Sequence, residues 1–232
     1  MRDMSTTLQV SEIFKSIQGE STAAGWPCVL VRLAGCNLNC NWCDTRYARS
    51  SDAGEAMSIE QILRHVADLD CPRVELTGGE PLQQAAAGEL LAALCDAGYE
   101  TLLETNGSSR LADVDPRVRK IVDVKCPASG EQASTRWENL AALDERDELK
   151  FVIADRGDYD YATAVLCGDV PSPAEPLGDT AGISSRVAVT FSPVAGQLDP
   201  AELAGWILAD GLDVRLGLQL HKIIWPEKDR GV

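Results

Sequence analysis

An α/β fold with a mainly parallel sheet is predicted by two observations. Strand-like and helix-like segments alternate along the chain, and the strand-like segments are short, nearly continuous apolar runs of the kind buried on both faces. VLVRLA at 29–34 is the first such run. Ser58-Ile-Glu-Gln61 then opens a helix with a capping-box pattern, and Ile59, Ile62, Leu63, Val66 and Leu69 recur at the spacing of one helix face. RVELT at 73–77 is the next strand, and a helix after Pro81 turns Leu82, Leu90, Leu91 and Leu94 inward. YETLLET at 99–105, KIVDVK at 120–125 and ELKFVIA at 148–154 continue the series. The stretch 168–186, rich in Pro, Gly and Ser, reads as a surface loop. RVAVTF at 186–191 follows it. A helix then starts at Asp199, an N-cap candidate with Pro200 at the first helical position and Glu202 three residues on, and LDVRLGL at 212–218 closes the pattern. Such alternation argues right-handed crossover units with ligands at the carboxyl ends of the strands. Six or seven strands are too few for an eightfold barrel, so an incomplete β/α barrel and an open doubly wound sheet both fit.

The 232 residues are 45% hydrophobic and 25% charged, ordinary globular proportions that exclude a disordered or fibrous chain. Lys plus Arg 21 against Asp plus Glu 36 leaves a net charge of −15, which disfavours a nucleic acid as direct partner. MRDMSTTLQVSEIF carries no apolar signal region, and no run of about 18 apolar residues suggests a membrane span. A cytoplasmic protein is expected. In that reducing setting eight cysteines are metal ligands or redox groups before they are disulfides.

Directly after the first strand, AGCNLNCNWCDT places Cys36, Cys40 and Cys43 in a C-x3-C-x2-C array. Three convergent thiolates suit zinc or an iron-sulfur cluster. Structural zinc wants four protein ligands, whereas a cuboidal cluster held by three cysteines leaves one iron open to a small molecule. Cys28, Cys71, Cys126 or His221 are the candidates for a distant fourth ligand, and spacing alone leaves both metals possible.

The array paired with the turn Thr77-Gly78-Gly79-Glu80-Pro81 after the next strand resembles the radical S-adenosylmethionine superfamily. The resemblance implies that Cys36, Cys40 and Cys43 hold a 4Fe-4S cluster whose open iron is chelated by S-adenosylmethionine. It implies an incomplete barrel. The glycines permit close backbone approach, and a carbonyl or the Glu80 carboxylate is the expected acceptor for the cofactor's ammonium.

EIFKSIQGES at 12–21, Arg32 and the C-terminal QLHKIIWPEKDRGV narrow the likeness to the 7-carboxy-7-deazaguanine synthase family, over essentially the whole chain. That resemblance implies one radical enzyme domain over 1–232, with a short N-terminal substrate-binding segment and a C-terminal segment closing the pocket. The reaction implied is contraction of 6-carboxy-5,6,7,8-tetrahydropterin to 7-carboxy-7-deazaguanine with loss of ammonia, in 7-deazapurine and queuosine biosynthesis. Mg2+, an electron donor such as flavodoxin or ferredoxin, and a homodimer are implied partners.

Carried over residue by residue, the substrate contacts fall on Ile17, Gln18, Gly19, Glu20, Arg32, Thr77 and His221, and the Mg2+ ligand on Thr45. A planar arginine fork suits a carboxylate, and a Gln with a carboxylate can read a pterin edge in pairs. Contacts to S-adenosylmethionine fall on Trp42, Cys43, Asp44 and Gly79, then on Cys126, Pro127 and Ala128 in DVKCPASG, and on Ser192 and Pro193 in FSPVAGQ. Relatives commonly carry SPK where this chain has CPA. WPEKDRGV extends past His221, a departure that puts in doubt any role for the Val232 carboxylate. Two other readings stand beside this one: an activating enzyme that makes a glycyl radical on a partner protein, and a zinc-stabilised α/β binding module. EIFKSIQGE with QLHK speaks against the first, and iron and sulfide analysis separates the second.

Overall fold

The expected strands pair into one curved sheet. The computed structural model describes residues 6–168 and 183–232, so most of the loop expected at 168–186 lies outside the described residues. In chain order the elements are β1 (Thr7–Ile17), β2 (Pro27–Leu33), β3 (Glu55–Ser58), α1 (Ile59–Asp68), β4 (Arg73–Gly78), α2 (Ala87–Asp96) and β5 (Glu100–Thr105). They continue with β6 (Arg119–Val124), β7 (Glu148–Ile153), α3 (Arg156–Leu166), β8 (Ala188–Pro193), α4 (Pro200–Asp210), β9 (Arg215–Leu216) and α5 (Leu220–Ile224).

The strand order is β3-β1-β2-β4-β5-β6-β7-β8-β9. From β2 to β9 every pairing is parallel and the order never reverses. A doubly wound sheet would reverse at a switch point; a monotonic order keeps the crossovers winding one way and the helices on one face. The incomplete barrel is therefore the fold, with β3 and β9 as unjoined edges.

Alternation along each strand separates two faces. Val29, Val31, Leu33, Val74, Leu76, Val122, Val124, Leu149, Phe151, Val189 and Phe191 join Ile59, Ile62 and Val66 of α1, Leu90, Leu91 and Leu94 of α2, Tyr159 of α3 and Leu203 of α4 in one apolar cluster. Each such large side chain removed from water contributes roughly 1.5–3 kcal/mol. The opposite, concave face carries polar groups at the intervening positions, with Leu102 and Ile121 packed on Ala23 as a small separate plug.

Local signals at helix starts hold. Ser58 Oγ accepts from Gln61 N while Gln61 Oε1 accepts from Ser58 N, the reciprocal pair expected. Asp199 caps α4 by accepting from Ala201 N, with Pro200 next. Three features differ from expectation. EIFKSIQGES lies largely in an eleven-residue strand, antiparallel to β2, and β3 pairs on its far side. The helix α3, capped by Asp155, fills a gap the sequence pattern left blank. LDVRLGL yields only a two-residue, exposed edge strand. Gly217 follows it, still donating from N to Phe191 O, and lies so close to β8 that a Cβ there would stand 2.4 Å from Thr190 Cγ2.

Candidate active site

A cavity of about 590 Å3 opens at the carboxyl ends of the strands and runs down the concave face. The loop after β2 brings Cys36, Cys40 and Cys43 to its rim, all three half-buried free thiols. Burial pushes the Cys36 and Cys40 thiols up from their ordinary range, and a bound cation would favour their thiolate forms. The donor set fits a cluster with an open corner. Of the candidate fourth ligands, Cys71 and Cys126 belong to the apolar core, Cys28 is fully buried, and His221 converges instead with Glu20 and Asp44.

The turn at 78–81 is built into this loop. Gly79 N donates to Leu33 O and Glu80 N to Gly35 O, stitching β4's end to the start of the cysteine loop. A Cβ on Gly79 would sit 2.2 Å from Gly35 O and 2.8 Å from Cys36 Cβ, and one on Gly78, whose φ is +153°, would sit 2.3 Å from Leu33 O. Only glycine allows that approach. Glu80 is buried below the turn. Its carboxylate accepts from Leu82 N, Thr105 Oγ1 and Asn106 N, which fixes the end of β5 against the turn; burial raises its pKa while those donors oppose the rise.

Deeper in the cavity lies a charged network. Arg32 donates from Nε to Glu12 Oε1 at 2.8 Å, its neighbour across the β1–β2 pair, and Tyr47 OH donates to the same oxygen at 2.6 Å. Gln18 is oriented at both ends: Oε1 accepts from Glu20 N and Ser21 N, and Nε2 donates to Glu75 Oε2. Lys150 Nζ donates to Glu20 Oε2 at 2.8 Å and to Glu104 Oε1, while Lys125 Nζ donates to Asp123 Oδ2 at 2.8 Å. Lys150 drives the Glu104 carboxyl below its ordinary range against the pull of burial. Burial and the neighbouring Glu104 charge drive Glu75 upward, towards its neutral form.

The C-terminal segment covers the mouth. Trp225, Pro226, Lys228, Asp229 and Val232 line the cavity, Arg230 stacks 4.1 Å over the Tyr47 ring, and Gly231 N donates to Glu12 Oε2 at 3.3 Å. The stretch beyond His221 therefore forms a wall of the cavity. His221 itself meets the N-terminal segment: Leu220 N donates to Gly19 O, and a Cβ on Gly19 would stand 2.8 Å from His221 Nδ1.

Of the sequence-selected residues, Ile17, Gln18, Gly19, Glu20, Arg32, Cys36, Cys40, Trp42, Cys43, Asp44, Thr45, Thr77, Gly79 and His221 line this one cavity. Glu80, Cys126, Pro127, Ala128, Ser192 and Pro193 are not among the residues that line it. The turn at 126–130 supports the cysteine loop, since Ala128 O accepts from Asn41 Nδ2 and Ser129 O from Asn41 N, and Asp158 holds the turn through Ala128 N. Cavity contacts near β8 come from Val194, Ala195 and Gln197 instead. Sequence reasoning passed over Glu75, Glu104, Asp123, Lys125 and Lys150. Their signal was partly present: Glu75, Glu104, Asp123 and Lys150 are charges inside buried strands, the feature that singled out Arg32, and Lys125 directly follows β6.

Comparison with known proteins agrees with this geometry. Residues 30–126 match the model of the radical SAM superfamily. A protein of Chlorobaculum tepidum named 7-carboxy-7-deazaguanine synthase is 47% identical over 228 residues, covering 97% of each chain. One of the same name from Koribacter versatilis is 44% identical, covering 97% of this chain and all of its own. In fold the chain is similar to the crystal structure of QueE from Escherichia coli, with a TM-score of 0.69 at 22% identity over 92% of this chain and 94% of that one. Similarity at this identity along nearly the full length of both chains makes the protein a member of the 7-carboxy-7-deazaguanine synthase family within the radical SAM superfamily.

Proposed function

We propose that the protein works as a single catalytic domain contracting 6-carboxy-5,6,7,8-tetrahydropterin to 7-carboxy-7-deazaguanine with release of ammonia. The carrying observation is that one cavity joins three rim thiols to a wall bearing Arg32, Glu20 and Glu104. When bound, a 4Fe-4S cluster on Cys36, Cys40 and Cys43 with S-adenosylmethionine supplies one-electron reduction and hydrogen-abstracting radical chemistry. The chain's own residues bind, orient and exclude water. Arg32, held through Nε by Glu12, presents its guanidinium to the substrate carboxylate. Thr45, with Asp44 next to it in the chain, is assigned to hold Mg2+, which would supply positive charge to orient and polarise the substrate. The C-terminal segment shields the reacting groups from solvent.

A cytoplasmic setting suits a protein whose eight cysteines are all free, and no helix among the described residues is long and apolar enough to cross a membrane. An electron donor such as flavodoxin or ferredoxin belongs to the reading. So does a homodimer, supported by exposed Leu208, Leu216, Ile223 and Ile224 on the elements around the free edge at β9.

The direct test is to incubate cluster-reconstituted protein with S-adenosylmethionine, dithionite, Mg2+ and the carboxytetrahydropterin. The deazaguanine product is expected, and its absence under conditions that cleave S-adenosylmethionine would reject the reading. A finer test separates the ligands. Arg32→Ala is expected to weaken pterin binding by about tenfold or more, the worth of a charged hydrogen bond of about 2 kcal/mol, while S-adenosylmethionine titrates as in the wild type. Equal losses for both ligands would contradict the assignment.

A further inference from the structure

Lys150 sits where an ammonium is costly. It is 4% exposed on β7, between Leu149 and Phe151 of the apolar core. Taking such a charge out of water costs several kcal/mol unless good partners surround it. Its partners come from three different places: Glu20 after β1, Glu104 on β5 and, at 3.7 Å, Asp123 on β6. Asp123 already has Lys125 at 2.8 Å, so Lys150 is committed to the two glutamates.

Each of those glutamates is held at both oxygens. Glu20 Oε1 accepts from Gln219 Nε2 at 2.8 Å, and Glu104 Oε2 accepts from Thr77 Oγ1 at 3.0 Å. Glu20, Glu104, Thr77, Gln219 and Lys150 all line the cavity. Burial works against the Lys150 charge, and Glu104, Glu20 and Asp123 overcome it, so the ammonium stays protonated and in turn holds the Glu104 carboxyl below its ordinary range. A carboxylate has about four lone-pair sites, and the bonds above leave capacity on both. The result is a rigid acceptor-rich wall, in a cavity that also holds the Arg32 cation.

We propose that Lys150 is a positioning residue for substrate recognition: bridging Glu20 and Glu104, it sets the pair that reads the N–H donor edge of a 2-amino-4-oxo ring. The inference rests on the pterin reading above and names the part of the ligand this wall selects. A pterin differs from the corresponding lumazine in that edge, having a 2-amino group where lumazine has an oxygen. An oxygen facing two carboxylates sets acceptor against acceptor and leaves theirs unpaired, so selectivity follows from the placement of the pair.

The test uses reconstituted holoenzyme and two stable probes, 6-carboxypterin and 6-carboxylumazine, titrated by fluorescence in the presence of S-adenosylmethionine. Wild type is expected to favour the pterin by about tenfold or more. Lys150→Met is expected to bring the two affinities within about twofold of each other, with S-adenosylmethionine affinity and cluster content unchanged. An unaltered pterin-to-lumazine ratio in this variant, or equal weakening of both probes, overturns the proposal. Should Lys150→Met fail to fold, Lys150→Arg serves: a broad fork cannot reproduce the single Nζ bridge, so a folded variant with a reduced ratio is expected, and a wild-type ratio overturns the proposal. A wild type that makes the deazaguanine yet binds both probes alike would reject this inference alone; failure of wild type to make product would reject the functional reading beneath it.

Discussion

Cys40→Ala is expected to abolish formation of 5′-deoxyadenosine and to leave the apoprotein folded. Cys40 is half-buried on the rim and outside the apolar core, so its removal opens no core cavity. Apoprotein melting temperatures of variant and wild type should then agree within about 2 °C, the size expected of substitutions away from packed features. Comparing apoproteins matters, because a bound group stabilises by mass action and would confuse the two effects. Iron and sulfide content after anaerobic reconstitution should fall sharply. Loss of groups that merely support a ligand costs roughly 10–100-fold in metal affinity, and loss of a ligand exceeds that. A Cys40→Ala protein that still cleaves S-adenosylmethionine reductively would remove Cys40 from the ligand set.

Gly79→Ala is the second large effect, and it acts through the backbone. The new methyl would meet Gly35 O at 2.2 Å, Gly35 C at 2.6 Å and Cys36 Cβ at 2.8 Å. None of these is the end of a flexible side chain, so the turn and the cysteine loop must separate. That breaks the bond from Glu80 N to Gly35 O. Forced overpacking of this kind costs about 3 kcal/mol or more, which for a chain of this size is a fall of roughly 6–12 °C in Tm. Cluster loading should fall with it, since the loop start that places Cys36 is displaced. Gly205→Ala is the control. Gly205 lies in α4 with nothing within 4 Å of the added methyl, so that variant should be unchanged or stabilised by about 0.5–1 kcal/mol. Calorimetry of both variants, with iron content, checks the pair; a Gly79→Ala protein with wild-type Tm and full cluster would contradict the close approach.

Much of this molecule was legible in its amino-acid order. The cysteine spacing, the TGGEP turn, the capping box at Ser58 and the N-cap at Asp199 are local, and local signals survive because the groups that satisfy one another lie within a few residues. The missed strand β1 shows the limit. TLQVSEIFKSI mixes charges with apolar residues because one face packs on α1 and the core while Glu12 turns to Arg32, and a window-based reading takes that mixture for a binding segment alone. Glu80 shows it differently. Its place in the turn suggested an acceptor for a cofactor, whereas donors from Leu82, Thr105 and Asn106 converge on it, two of them more than 20 residues away.

The sequence by itself determined the chemistry available: three thiols on one loop, glycines beside them, an arginine inside a buried strand, and a strand–helix alternation that restricts the fold to two architectures. Tertiary structure decided which architecture, through a strand order that never reverses. It also decided what the remaining charges do. Glu20, Glu104 and Lys150 are 46 to 130 residues apart in the chain, and sheet register places them within hydrogen-bonding reach. Such pairings depend on how strands are ordered across a whole sheet, and no short stretch of chain contains that ordering.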